Sequence, residues 1–470
     1  MARRSITQKI ISLFISFCFL AGTLGQAYGF SIGAEREVGE KLLYSVRSSF
    51  NLIEDPDITL YITKLGRSVL DVAGIQYFDY HFYVINSKEF NAFAAPSGLV
   101  FFYSGLIETM NSENELLSVM AHEIGHVVKR HLADRIEKGT YSSIASLGIA
   151  LAAIAFGGTA APALLTGALA TGQSMNLHFS RQNEEEADAM AFTWLEKMHR
   201  NPEGQARMLE SMRRIARYRS EKLPQYLLTH PNPEARLGFI EGLIDSTGGV
   251  ASKNFQKEDN FEFLRFKYRV MSQTKEPEPL KMYLANIQSR SEKDSLEFVM
   301  AGYGLALLAE KENDSKRALV LLDEASAAFP QKNILLADHG RVLLEAGDLE
   351  EAEKVLSELL KREPSNVYGE YLMGKLLYRK GEIERAADFF SRVSYEIPEF
   401  SAVYFELGQI ASDRKNKPLS LFYLGKHYLY EGRLKLAALN LHEAGQGEKL
   451  EPEKERERKV LLEKIKKLKK

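Results

Sequence analysis

Apolar positions between residues 113 and 128 recur at helical spacing. Leu116, Leu117, Val119, Met120, Ile124, Val127 and Val128 are apolar enough to be buried, and Ser112 followed by Glu115 reads as the capping box that starts the helix. A different pattern governs residues 80–103. Tyr80 to Ile85 and Leu99 to Tyr103 carry strand-like aromatic and β-branched residues, with the turn formers Pro96-Ser97-Gly98 just before the second run. These two runs predict either a hairpin in the core or an exposed strand edge to which an extended peptide backbone can pair.

From about residue 298 the pattern repeats every 34 residues. Pro330, Pro364 and Pro398 keep that spacing, as do Gly340, Gly374 and Gly408, and Ala318, Ala352 and Ala386. Small residues at fixed offsets mark the close approach of antiparallel helices, and a proline ends each unit, as in tetratricopeptide repeats. Gly425, Ala437 and Ala444 mark one further unit, out of phase. Residues 250–297 are helical in pattern but match the repeat poorly, which predicts a capping or connecting segment. Residues 451–470 predict a charged helix acting as a solvated terminal cap. Such arrays stack into curved surfaces that bind peptides or partner proteins, so this half is expected to supply recognition.

Arg3, Arg4 and Lys9 precede the apolar stretch Ile10 to Leu24 and the small-residue sites Gly25-Gln26-Ala27 and Ala27-Tyr28-Gly29. This pattern predicts a secretory signal peptide over 1–29. The only cysteine, Cys18, lies inside it and follows the bulky Phe17, so no disulfide is expected in the mature chain. Taking three cations from 61 basic against 63 acidic residues leaves a net charge of minus five, which argues against bulk nucleic-acid binding. Residues 139–180 contain no Asp, Glu, Lys or Arg. Their apolar runs, Ile144 to Phe156 and Ala160 to Ala170, fall short of the roughly 20 residues that span a bilayer. Two short packed helices or a lid over a cleft are expected there, with a membrane-dipping hairpin and peripheral membrane contact left open.

The chemistry concentrates in His122-Glu123-Ile124-Gly125-His126. Residues four apart share a helix face, so both imidazoles can reach one ion, while Glu123, rotated by about 100°, can hold the metal's water. A third ligand is expected on a separate helix. Glu184 and Asp188 are four apart, so one can ligate while the other takes the N–H of a ligating imidazole. Glu185 and Glu186 read as a solvated face. His131, nine residues after His122, is expected on the opposite helix face at the surface.

The combined pattern is more specific than any one motif. HExxH is preceded by Asn91-Ala92-Phe93-Ala94-Ala95-Pro96-Ser97-Gly98. It is followed by Ser180-Arg181-x-x-Glu184-x-Glu186-Ala187-Asp188 and by Thr229-His230-Pro231-x-Pro233-x-x-Arg236. In that order they resemble the M48 peptidase family over roughly residues 33–243. The resemblance implies a zinc endopeptidase in which His122, His126 and Glu184 bind one Zn2+, Glu123 is the general base and Asp188 orients a histidine, His122. It also puts His230 at the active site, where two roles are open: donating to the oxyanion of the tetrahedral intermediate, or ligating zinc as an off switch that displaces the catalytic water. Arg236 would anchor the His230 turn or the transition state. Ser97 stands where the family often has a second glycine, a departure of little weight because serine is also small.

The implied fold is an α+β zincin-like metallopeptidase domain, mostly helical with a small sheet, followed by an all-α tetratricopeptide-repeat solenoid. The expected boundaries are 30–247 for the peptidase, 248–297 for a helical connector, 298–450 for the repeats and 451–470 for the last helix. A secreted chain of this architecture is similar to envelope proteases of bacteria. That similarity implies a periplasmic enzyme acting on unfolded or misassembled outer-membrane proteins, with the repeats engaging substrate or the assembly machinery. The competing expectation is a chaperone-like assembly scaffold whose zinc site is structural or plugged; an intact Glu123 weighs against it.

Overall fold

A three-stranded sheet and one buried helix beside it position the candidate chemistry. The computed structural model describes residues 31–138, 179–218, 223–249, 255–446 and 449–469. The expected signal peptide and residues 139–178 of the uncharged stretch lie outside the described residues. Helix α1 (Ile32–Ser49) starts where Ser31 Oγ accepts from the Ala34 N–H, and α2 (Pro56–Ala73) starts at an Asp55 cap with proline in its first turn.

The strands are β1 (His81–Ile85), β2 (Ala92–Ala95) and β3 (Leu99–Tyr103), in the order β1-β3-β2. β1 runs parallel to β3, so the two strand-like runs of the sequence are not hairpin partners. The hairpin is β2–β3, closed by the 3-10 turn Pro96–Gly98. β2 is alanine-rich and intrinsically weak as a strand; pairing with the fully buried β3 gives it its conformation. Ser97 sits at φ 70° and Gly98 at φ 80°. The preference for glycine at position 97 is therefore one of backbone handedness, not of size as the sequence suggested.

After α3 (Ser104–Thr109) comes α4 (Glu113–Val128), almost wholly buried. Ser112 Oγ accepts from the Glu115 N–H, and Glu115 reaches back to the Asn111 N–H at 2.9 Å, one residue before the cap. There follow α5 (His131–Lys138), α6 (Arg181–Lys197), α7 (Glu203–Tyr218), α8 (Gln225–Thr229) and α9 (Pro233–Ser246). Helices α2, α6 and α7 pack around α4. Their shared core includes Ile62, Phe102, Leu116, Trp194 and Met208, and it continues without a break to Phe261, Tyr303 and Val342.

The second half is a helical array: α10 (Phe261–Thr274), α11 (Pro277–Arg290), α12 (Leu296–Lys311), α13 (Ser315–Ala328), α14 (Ile334–Ala346), α15 (Leu349–Arg362), α16 (Val367–Arg379), α17 (Ile383–Glu396), α18 (Ser401–Asp413), α19 (Lys417–Tyr430) and α20 (Leu434–Glu443). The periodic glycines are close-approach points. A Cβ on Gly340 would lie 2.4 Å from Leu356, and one on Gly374 would lie 2.8 Å from Phe390. The closing helix α21 (Pro452–Leu468) is not merely a solvated cap. It buries Leu461 and Ile465 in a cluster with Tyr44 of α1, and Lys464 approaches Glu40 at 3.7 Å. The array thus curves back onto the first described helix.

Polar junctions tie the halves together. Arg47 and the Tyr83 hydroxyl both reach Glu399 in the α17–α18 connection, at 2.7 and 2.8 Å. Deeper, Arg265 and Arg269 of α10 bridge Asp55 and Asp57 at the start of α2 to Asp338 of α14. Among the described residues, no helix is long and apolar enough to cross a membrane.

Candidate metal centre

His122 and His126 lie one turn apart on α4 with their Nε2 atoms 3.0 Å apart. Gly125 lies between them on the α6 side, where a Cβ would come 3.3 Å from Ala187 Cα, so the missing side chain lets α6 pack close. Glu184, in the first turn of α6, then brings one carboxylate oxygen to 3.4 Å from His126 Nε2 and the other to 3.6 Å from His122 Nε2. A third imidazole completes the group. His230 ends α8 between the Tyr226 carbonyl, which accepts its N–H at 2.7 Å, and a Pro231-Asn232-Pro233 turn with Asn232 at φ 60°. Its Nδ1 lies 3.0 Å from Glu184 and 3.3 Å from His122 Nε2.

One donor atom from each of His122, His126, Glu184 and His230 falls within 4.8 Å of the others, and all four residues are buried. Bonds of about 2.0–2.2 Å to a tetrahedral ion would separate its ligand atoms by roughly 3.3–3.6 Å, close to the contacts seen. Charge gives a second fit. Glu184 and Asp188 are buried against the guanidinium of Arg236, and the carboxyl of Glu123 is buried beside His230, so among the described residues carboxyls outnumber guanidiniums at the centre, a surplus that suits a cation. Burial opposes charge on His230, yet the Glu184 and Glu123 carboxylates lift its pKa above the usual value. Burial holds His126 well below its usual value, in the neutral form that a metal ligand needs.

Glu123 stands just outside the four. Its Oε1 is buried with no hydrogen-bond partner among the described residues and lies 3.6 Å from His230 Nε2. Asp188 faces the outer side of His122, 2.8 Å from Nδ1. Arg236 grips Asp188 through two contacts of 2.7 and 2.8 Å and reaches Glu184 at 2.8 Å. Against strong burial, Arg236 and His122 keep the Asp188 carboxyl below its ordinary range. Gln205 of α7 donates to the same carboxylate at 3.2 Å.

His131 departs from expectation. The chain leaves the α4 helix at Lys129 and Arg130, the latter at φ 54°, so the nine-residue count along one helix does not apply. His131 opens α5, is buried, and places Nδ1 3.0 Å from His126 Nδ1. Glu185 and Glu186, expected in the solvated face, are both partly exposed; Glu185 pairs with Arg181, while Glu186 also lies 3.3 Å from His131 Nε2. The sequence reading also passed over Phe179, whose ring centroid lies 4.1 Å from that of His126, and Tyr226, which stacks on His230 at 4.4 Å. Neither aromatic stands in a motif, so only the fold brings them to the centre.

Residues 57–244 match the sequence profile of peptidase family M48, and residues 337–398 match that of the tetratricopeptide repeat. The chain is 31% identical over 438 residues to the beta-barrel assembly-enhancing protease of Escherichia coli (strain K12), covering 89% of this chain and 85% of that protein. It is 29% identical to a mitochondrial metalloendopeptidase of Schizosaccharomyces pombe, over 39% of this chain and 52% of the other. Among solved structures, the tetratricopeptide-repeat protein YrrB aligns with 50% of this chain and 98% of its own, at 15% identity and a TM-score of 0.26.

Proposed function

The chain belongs to peptidase family M48 and is a metalloendopeptidase, and from that premise we propose that it is a zinc enzyme of the periplasm that cleaves misfolded or misassembled outer-membrane proteins. The name of the Escherichia coli relative and the sequence of the first 29 residues support the compartment and the substrate class. The repeats recruit substrate or the assembly machinery. The observation that carries the reading is the convergence of two α4 imidazoles with a carboxylate from α6 in a buried, negatively charged centre.

In this reading His122, His126 and Glu184 hold one zinc ion per chain. When bound, zinc polarises a scissile carbonyl and acidifies water. Glu123 takes the proton from that water and passes it to the leaving amine. Asp188 fixes the orientation of His122, and Arg236 keeps Asp188 ionised. The edge strand β2, packed beside α4, offers its backbone to an extended segment of substrate, which reads main chain more than side chain.

His230 sets the resting state. Its Nδ1 stands among the other donors, which favours the role of a fourth ligand that closes the site. A plug favoured by only about 1.4 kcal/mol keeps nine-tenths of the molecules closed, so His230→Ala is expected to raise basal digestion of an unfolded protein about tenfold. A loss of activity in that variant would instead assign His230 to the oxyanion. The same contact supports the second reading, a scaffold with a plugged centre, in which the parent digests nothing and Glu123 is dispensable for biological function.

A further inference from the structure

The two α4 imidazoles are held from behind in different ways. His122 Nδ1 meets a carboxylate directly, Asp188 at 2.8 Å. Among the described residues His126 Nδ1 has no such neighbour; it faces the ring nitrogen of another histidine, His131 Nδ1, at 3.0 Å. The far nitrogen of His131 lies 3.3 Å from Glu186 Oε2, and Glu186 is itself steadied by Gln182 Nε2 at 2.9 Å.

Two proton arrangements can fill this chain, and only one is compatible with a metal. If His131 Nδ1–H donates to His126, the remaining His126 proton sits on Nε2 and blocks the lone pair that must face the ion. His131 then also turns a bare Nε2 toward a carboxylate. In the reverse arrangement His126 Nδ1–H donates to His131 Nδ1, and His131 Nε2–H donates to Glu186. Both contacts are then favourable and His126 Nε2 is free to ligate.

Resting on the metal reading above, we infer that His131 and Glu186 form a two-residue relay that fixes the tautomer and ring orientation of His126 for metal binding. His131 is a positioning residue and touches neither substrate nor ion. The arrangement makes the metal's two α4 ligands unequal. His122 is backed by a fully buried carboxylate, His126 by one with a side chain about one-third exposed, reached through the first residue of α5.

The test is zinc affinity of the purified full chain, measured by competition with a chromophoric chelator, alongside the melting temperature of the metal-free protein. His131→Phe keeps a ring but offers no acceptor, and is expected to weaken zinc binding about 10- to 100-fold with little change in metal-free melting. His131→Gln, whose amide oxygen can accept the Nδ1–H, is expected to restore most of that loss. Glu186→Leu, at a partly exposed position, is expected to weaken zinc binding severalfold. Zinc affinity within twofold of the parent in both His131→Phe and Glu186→Leu overturns the relay. So does a loss in His131→Phe that tracks metal-free melting and is not recovered by Gln. A parent protein that binds no zinc would instead refute the metal reading, so the two failures are distinguishable.

Discussion

Glu123→Gln is expected to keep its zinc and lose its proteolysis, with kcat/KM on an unfolded protein substrate falling by about a hundredfold to ten-thousandfold. The carboxylate lies outside the four-donor group, so an isosteric amide leaves the ligands in place. What the amide removes is a proton acceptor. Glu123 Oε1 is buried beside the centre without a hydrogen-bond partner among the described residues, the state expected of a group whose partner is water or substrate. Assaying zinc content and degradation on the same preparation checks the prediction. Parent-like digestion by the variant would remove Glu123 from the mechanism, and full biological complementation by it would favour the scaffold reading.

Asp338→Ala is expected to destabilise the chain by about 3–5 kcal/mol, the usual cost of removing one partner from a buried ionic network. Asp338 is fully buried and accepts from Arg265 at 2.9 Å and from Arg269 at 3.1 Å. Removing it leaves two buried guanidiniums short of one counter-charge. Burial raises its pKa, but the Arg265 and Arg269 charges outweigh burial and hold it below the ordinary carboxylate value. The sign follows from that direction. The parent's advantage over the variant is complete above the unfolded value near 3.8 and disappears as pH falls through the lower folded-state value. Urea denaturation of both proteins at pH 7 and in the acid range measures the difference; a shift under about 1 kcal/mol at pH 7 would show that the junction is not integral to the fold. The network joins the repeat helix α14 to α2, which packs on α4, the helix that carries His122 and His126.

The features legible in the sequence were those with a fixed period. The 3.6-residue pattern of α4, its Ser112 cap and the 34-residue spacing of Gly340, Gly374 and Gly408 each follow from local geometry that repeats. What stayed hidden depended on tertiary partners. β2 is a strand because β3 lies beside it, and alanines alone do not announce that. The break at Arg130 has neither glycine nor proline to mark it, so His131 could be placed only by counting along a helix that does not continue. Arg265, Lys267 and Arg269 stand in no motif, yet all three are buried, because carboxylates and a carbonyl from distant segments meet them. Glu184 and Asp188 were recognisable through the combined motif, but their division of labour depends on which oxygen faces which imidazole.

Zinc K-edge X-ray absorption on the purified full chain tests the central claim most directly. The account predicts one zinc per chain bound by three imidazole nitrogens and one carboxylate oxygen at about 2.0–2.2 Å, with one imidazole lost in His230→Ala. A centre with sulfur ligands, or one whose spectrum is unchanged by replacing both Glu184 and His230, would contradict it.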